Sequence, residues 1–283
     1  MTDGPVGFIG LGQIGTPMAQ RLVDWPGGLV VHDLRPEATA PFAEAGAIVA
    51  ESVAAVGAAC GVVSIMVRDD AQVRDVVAEL VPSMARGDVI AVHSTVRAET
   101  AEELEEQVSP HGIELLDVPV SGGFVGALQG TLAAIVGGDE AASEKARPVF
   151  ERWATLVVHM GPVGAGTRTK LARNAMQFTG YAAAFEAHRL AEAAGLDLQK
   201  LGEVVRHSDK VTGGAGVIMV RTETGDLAPD DPLRDLFSHT RDLGEKDLSL
   251  ALELADALGV DLPLTRQALA DFAKGLGVPH ASQ

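Results

Sequence analysis

Cysteine is nearly missing from this chain: Cys60 is the only one. That excludes a disulfide framework and a thiolate zinc cage, and fits a reducing compartment. Tyrosine is equally scarce. Tyr181 stands alone and position 185 is Phe185, so no Tyr-x-x-x-Lys acid–base pair is present. None of the eight histidines has a His-Glu-x-x-His or other metal-ligand spacing, and a metal-free site is expected. No stretch approaches the ~20 uncharged apolar residues of a membrane span, and no basic-then-apolar secretory start is seen, so the expected location is the cytoplasm. Basic residues are also few. Lys plus Arg total 22 against 39 Asp plus Glu, a net charge of −17, which argues against nucleic-acid and anionic-membrane partners. A small anionic ligand remains compatible if helix N-termini and a few cations are placed locally.

What is present points to a globular protein. The 283 residues suggest about two domains at roughly 150 residues each, and 47% hydrophobic with 22% charged residues is ordinary for packed domains. Short apolar runs at 5–10, 28–33, 61–67, 88–92, 112–118, 131–136 and 154–159 read as strands. They lack polar alternation, as strands buried on both faces do. Segments with helical spacing, such as 71–84 and 99–108, lie between them, which predicts a doubly wound, mainly parallel α/β sheet of the Rossmann type over residues 1–163. The Gly/Pro-rich joint GPVGAG at 161–166 ends that pattern. Beyond it an all-α domain is expected over 164–283, entered by a long helix from Thr167 to Ala194 that joins the two parts. Further helices run from Asp231-Pro232 to Leu258 and from Leu262-Pro263 to about Gly275. Gly180 and the alanines around it make the long helix small-sided, which suggests association of subunits as a homodimer or homotetramer.

Gly10-Leu11-Gly12-Gln13-Ile14-Gly15 is a Gly-x-Gly-x-x-Gly motif directly after the first strand and opening a helix. In that context Gly10 permits the tight turn, Gly12 the approach of a pyrophosphate, and Gly15 close helix packing. Asp33 ends the second strand 23 positions after Gly10, where a carboxylate accepts hydrogen bonds from ribose hydroxyls and repels a 2′-phosphate. That favours NAD over NADP. Arg35 leaves NADP open, because a guanidinium there could pair with the phosphate or simply be a solvated first-turn residue.

The segment DVPVSGGFVGALQGTL (117–132), followed by Val136-Gly137-Gly138, resembles the substrate motif of the β-hydroxyacid dehydrogenases, the family of 3-hydroxyisobutyrate dehydrogenase with 6-phosphogluconate dehydrogenase as a more distant relation. GAGTRTKLARN (164–174) and KDLSLA (246–251) extend the resemblance over nearly the whole chain. It implies hydride transfer between a nicotinamide cofactor and a small β-hydroxy acid or its semialdehyde. Ser121, Gly122 and Gly123 would hold the substrate carboxylate through backbone N–H groups and a hydroxyl. Lys170 and Asn174, spaced i, i+4 on one helix face, would serve as proton-transfer base and as orienting group. Such a lysine needs a pKa well below its usual ~10.4, which burial, a neighbouring cation or a helix N-terminus can supply. Met66, Val67, Arg68, Gln72 and Thr95, the last next to Ser94, would line the cofactor, and Lys246 would add a second cation beside Asp247.

Three departures from the family pattern stand near the expected cleft. Arg68 replaces a usual proline, His93 a smaller or acidic residue, and Arg173 the first of a frequent Asn-Asn pair. They leave the substrate's identity open. The rivals are a semialdehyde, glyoxylate or imine reductase, and a non-catalytic NAD(P)-binding module; Lys170 is the residue that the imine reductases and the module would be expected to lack.

Overall fold

A computed structural model describes residues 4–281. The chain divides into two compact units, the first reaching to Asn174 and the second starting at Ala175.

In the first unit, β1 (Val6–Ile9), α1 (Gly15–Gln20), β2 (Leu29–His32), α2 (Pro36–Glu44), β3 (Ile48–Val49), α3 (Val53–Ala59), β4 (Val62–Ile65), α4 (Asp70–Leu80), β5 (Val89–Val92), α5 (Ala98–Val108) and β6 (Glu114–Asp117) follow in turn. These strands lie parallel in the order β3-β2-β1-β4-β5-β6. The sheet continues through β7 (Val120–Ser121), α6 (Gly123–Gln129), β8 (Leu132–Gly137), α7 (Glu140–Phe150) and β9 (Ala154–Gly161). β8 runs antiparallel to β6 and β7 and parallel to β9. Pro119, which has no N–H to donate, separates β6 from β7.

Both faces of the sheet are buried, which explains the missing polar alternation. In β5, Val89 and Ala91 belong to one apolar cluster with Phe8, Val31, Phe150 and Trp153. Ile90 and Val92 belong to another with Val63, Ile65, Val77 and Leu104. Each large side chain so buried contributes about 1.5–3 kcal/mol. β9 departs from this pattern: its outer residues Leu156, Val158 and Met160 are exposed.

The Gly-rich joint leads into α8 (Ala165–Ala193), a helix of 29 residues that contains the division between the units. The second unit continues with α9 (Leu198–Thr212), α10 (Arg234–Leu258) and α11 (Pro263–Leu276). The α9 helix has no counterpart among those expected from the sequence, although Asp197 caps it through the Gln199 and Lys200 N–H groups and Gly213 ends it left-handed. The α10 helix begins at Arg234 rather than Asp231-Pro232, because Asp231 turns its carboxylate to the Leu233 N–H one step earlier. Gly244 of α10 has no room for a side chain: a Cβ there would overlap the Phe272 ring of α11. The buried Glu186 of α8 caps α11, accepting the Leu264 and Thr265 N–H groups at 2.8 Å each. Among the described residues no helix is long and apolar enough to cross a membrane.

Candidate active site

The carboxyl ends of β1, β2, β4, β5 and β6 bring separate sequence motifs to one edge. Ladder hydrogen bonds there run from Gly10 N to His32 O, Met66 N to Ile9 O, His93 N to Ile65 O and Val118 N to Val92 O. The chain leaves β1 towards β2 and later returns to β4 on its other side, so a crevice opens at this edge, where α/β sheets bind ligands.

The three glycines of the first motif have three different environments. Gly10 has φ +95°, and a Cβ there would overlap the Met66 carbonyl. A Cβ at Gly15 would overlap the Gly10 carbonyl. Gly12 has ordinary backbone and nothing within 4 Å of its Cβ direction. Two glycines therefore close the turn and the third leaves it open, a shape that fits a dinucleotide pyrophosphate over Gly12. Leu11 is buried, while Gln13 is exposed and Ile14 half-buried at the helix start.

Asp33 faces this loop. Its Oδ2 accepts the Leu11 N–H at 2.7 Å, and its Oδ1 accepts the Arg35 N–H at 2.9 Å and Arg35 Nε at 3.1 Å. Burial opposes ionisation of Asp33, but these hydrogen bonds outweigh it and hold the carboxyl below its usual range. Arg35 also donates Nη2 to the Leu11 carbonyl at 3.1 Å, so its guanidinium folds over Asp33.

Ser94 binds Val67 twice, accepting from its N–H at 2.9 Å and donating to its carbonyl at 2.7 Å. This ties the end of β5 to the segment 66–68, while Thr95 stays exposed. The Gln72 side chain is committed to backbone, accepting the Arg68 N–H at 3.1 Å. His93 does not line a cleft. It is 1% exposed and packs its ring against Trp153, Phe150 and Phe8. Its Nδ1 lies 3.0 Å from the Val118 carbonyl, which can only accept, so Nδ1 carries the proton. Burial pushes the His93 pKa down to about 4.

Ser121 is half-buried and pairs with Ala133 across β7 and β8, while Gly122 and Gly123 are exposed. Both glycines have positive φ, +131° and +62°, and nothing lies within 4 Å of a Cβ placed on Gly123. The turn thus presents backbone to open space, as a carboxylate cradle requires.

Lys170 stands at the second turn of α8, 9% exposed, with no ion pair or side-chain hydrogen bond among the described residues. Burial lowers its pKa and the neighbouring Arg173 lowers it further. Asn174 lies one turn on, half-buried, with Arg173 Nη1 at 3.4 Å from its Oδ1.

The helix start is fixed by a residue with no role assigned from sequence. Asp117, fully buried at the end of β6, accepts the Gly164 N–H at 2.8 Å and the Thr167 N–H at 2.6 Å. Burial raises its pKa, and the two N–H groups oppose that rise. Gly137 has no space for a Cβ beside the Asp117 carboxylate, nor has Gly166 beside the Ile135 carbonyl. The sequence signal for this joint was the co-occurrence of the acid and the two glycines in the quoted motifs.

Lys246 lies in the second unit, on α10, exposed and 3.0 Å from Asp247 Oδ1. Among the described residues no group of three or more His, Cys, Asp or Glu is placed to hold a metal ion.

Comparison with known proteins identifies the family. The profile of the NAD binding domain of 6-phosphogluconate dehydrogenase matches residues 5–161, and that of the NAD-binding region of NADP-dependent 3-hydroxyisobutyrate dehydrogenase matches 164–277. The chain belongs to the β-hydroxyacid dehydrogenase family. An oxidoreductase of Mycobacterium tuberculosis strain H37Rv is 55% identical over 278 residues, 97% of this chain and 94% of its own length. The crystal structure of an oxidoreductase from Mycobacterium avium 104 superposes with a TM-score of 0.94 at 55% identity, covering 99% of this chain and 100% of that one. The 3-hydroxyisobutyrate dehydrogenase of M. tuberculosis, in a structure with L-serine, gives a TM-score of 0.69 at 32% identity, with 99% and 96% covered. As a member of this family the chain is an NAD(P)-dependent oxidoreductase. Its glycine turn and open Gly12 are the features of its own structure that suit that cofactor.

Proposed function

We propose that this β-hydroxyacid dehydrogenase interconverts a small β-hydroxy acid and its semialdehyde or keto acid, using NAD in preference to NADP. The observation that carries the reading is the environment of Lys170: a nearly buried lysine without a partner among the described residues, with its proton affinity lowered by burial and by Arg173, on the same unit as the glycine turn. A bound nicotinamide dinucleotide would supply the hydride acceptor. In oxidation the Lys170 Nζ takes the hydroxyl proton as the carbinol C–H bond breaks, and in reduction it returns that proton. Asn174 offers an amide to orient the substrate, and the backbone at Ser121, Gly122 and Gly123 receives the carboxylate without a net cation.

The preference for NAD rests on Asp33. A 2′-phosphate brought to it would meet a carboxylate held ionised, while Arg35 is already engaged by that carboxylate and the Leu11 carbonyl. The second unit also favours a homo-oligomer. The α9 helix buries no residue and leaves Val204, Val205 and Val211 exposed, surface that a second copy of the chain would cover. Light scattering on the purified protein checks this; a monomer at micromolar concentration contradicts it.

The functional test is a panel of β-hydroxy acids and aldehyde acids assayed with NAD and NADP. Turnover of some β-hydroxy acid, faster with NAD, is expected. Tight cofactor binding without turnover anywhere on the panel would favour a binding module instead.

A further inference from the structure

The α8 helix starts as a cationic segment in an acidic protein. From Ala165 to Phe185 it holds no Asp or Glu, although the chain has 39 of them, and it carries Arg168, Lys170 and Arg173. Arg168 is neutralised by Glu102 at 2.6 Å. Lys170 and Arg173 have no carboxylate partner among the described residues. They stand at i and i+3, with Asn174 at i+4, so all three occupy one stripe of the helix. Arg173 is half-buried, and among the described residues its side chain makes one hydrogen bond, the 3.4 Å approach to Asn174 Oδ1.

Two neighbouring cations, one of them nearly buried, repel each other when no counter-charge stands by. Such an arrangement is tolerable where an anion joins it on binding. The proposed chemistry accounts for one cation only, because Lys170 faces the hydroxyl and must itself be neutral to take a proton. The backbone cradle at Ser121 to Gly123 accounts for one carboxylate. Arg173 is then an unassigned fork of donors suited to a second, planar acidic group.

We propose that Arg173 is a specificity-determining residue that reads a second carboxylate, so that the preferred substrates are β-hydroxy dicarboxylates rather than monocarboxylates. This rests on the assignment of Lys170 as the base. Arg173 lies one turn from Lys170 on the stripe that carries Asn174, where a substituent of the bound hydroxy acid would meet it. An adjacent cation also helps keep Lys170 neutral, so one side chain serves both selection and proton transfer.

The test compares kcat/KM for 3-hydroxypropionate with that for 3-hydroxyglutarate and malate, in wild type, Arg173→Asn, Arg173→Lys and Lys170→Ala. Wild type is expected to favour a dicarboxylate. Compared above the pH limb of each enzyme, where a change in Lys170 ionisation no longer affects the rate, Arg173→Asn should reduce kcat/KM for it by about 100-fold, chiefly through KM, and for the monocarboxylate by less than about 3-fold. Arg173→Lys should restore part of the preference. Equal losses on both substrate types, or a wild type that favours the monocarboxylate, overturn the proposal. The two assignments fail separately: if Lys170→Ala stays active the base is wrong, whereas an inactive Lys170→Ala with an unchanged substrate ratio in Arg173→Asn removes only the role of Arg173.

Discussion

The Asp117 carboxylate accepts the Thr167 N–H at 2.6 Å across 50 positions of chain, one helical turn before Lys170. With the Gly164 N–H on its other oxygen, this buried acid sets where α8 begins and therefore where Lys170 stands. Asp117→Asn puts an amide NH2 against one of the two N–H donors. A buried charge-assisted bond is lost and a donor is left unpaired, a cost of about 2–5 kcal/mol. A fall in Tm of roughly 5 °C or more is expected, with reduced kcat and an NAD Kd within about 2-fold. Thermal denaturation and a cofactor titration check this; unchanged Tm and kcat would deny Asp117 the role.

Gly10 and Gly12 should separate folding from binding. At Gly10 a Cβ overlaps the Met66 carbonyl in a backbone that favours glycine, whereas at Gly12 it meets nothing within 4 Å. Gly10→Ala should therefore lower Tm of the cofactor-free protein. Gly12→Ala should leave that Tm unchanged and weaken NAD binding by about 10-fold or more, as extra bulk displaces the pyrophosphate. A tight-binding Gly12→Ala would remove the pyrophosphate from this turn.

His93 sets a pH dependence of stability. Its pKa in the fold is about 4 against an ordinary 6.5, because burial disfavours the imidazolium. The stability tied to the neutral ring is present above pH 6.5 and is lost as pH falls from 6.5 towards 4. The total is about 3 kcal/mol. Chemical denaturation of wild type and His93→Phe at pH 7 and pH 4.5 measures it. The gap between the two proteins should shift in favour of the variant on acidification; parallel losses would show that His93 is not the titrating group.

Asp33 should decide the cofactor. Asp33→Ser removes the charge facing a 2′-phosphate and frees Arg35, which is otherwise engaged with that carboxylate. The NADP to NAD ratio of kcat/KM is expected to rise by about 10-fold or more. No change in the ratio would place discrimination elsewhere.

The parts of this molecule governed by backbone were the most legible in its sequence. The Gly10 to Gly15 turn and the doubly buried strands follow from residue type and apolar run length, and their observed edges shift by only a residue or two. β3 and β7, two residues each, are too short to carry a period. They exist through pairing with β2 and β8. His93 stands at the crevice edge as expected, but its position after β5 fixes the backbone and not the direction of the ring, which turns towards Phe150 and Trp153. The role of Asp117 has no sequence signal beyond the co-occurrence of the quoted motifs, for a related reason: its partners, Gly164 and Thr167, lie some fifty residues away and meet it only once the sheet has formed. Lys170 was legible as a candidate, whereas its burial and its proximity to Arg173 are properties of the folded helix.

The central claim is that Lys170 takes the hydroxyl proton. Its most direct test is the pH dependence of kcat for oxidation of a β-hydroxy acid by wild type and Lys170→Ala, with NAD affinity measured alongside. Wild-type turnover should rise with pH through an ionisation below the usual lysine value of 10.5, as burial and Arg173 require. Lys170→Ala should lose that limb and about 10²–10⁴ in kcat while binding NAD with unchanged affinity. A Lys170→Ala enzyme with wild-type turnover and the same pH limb would contradict the account.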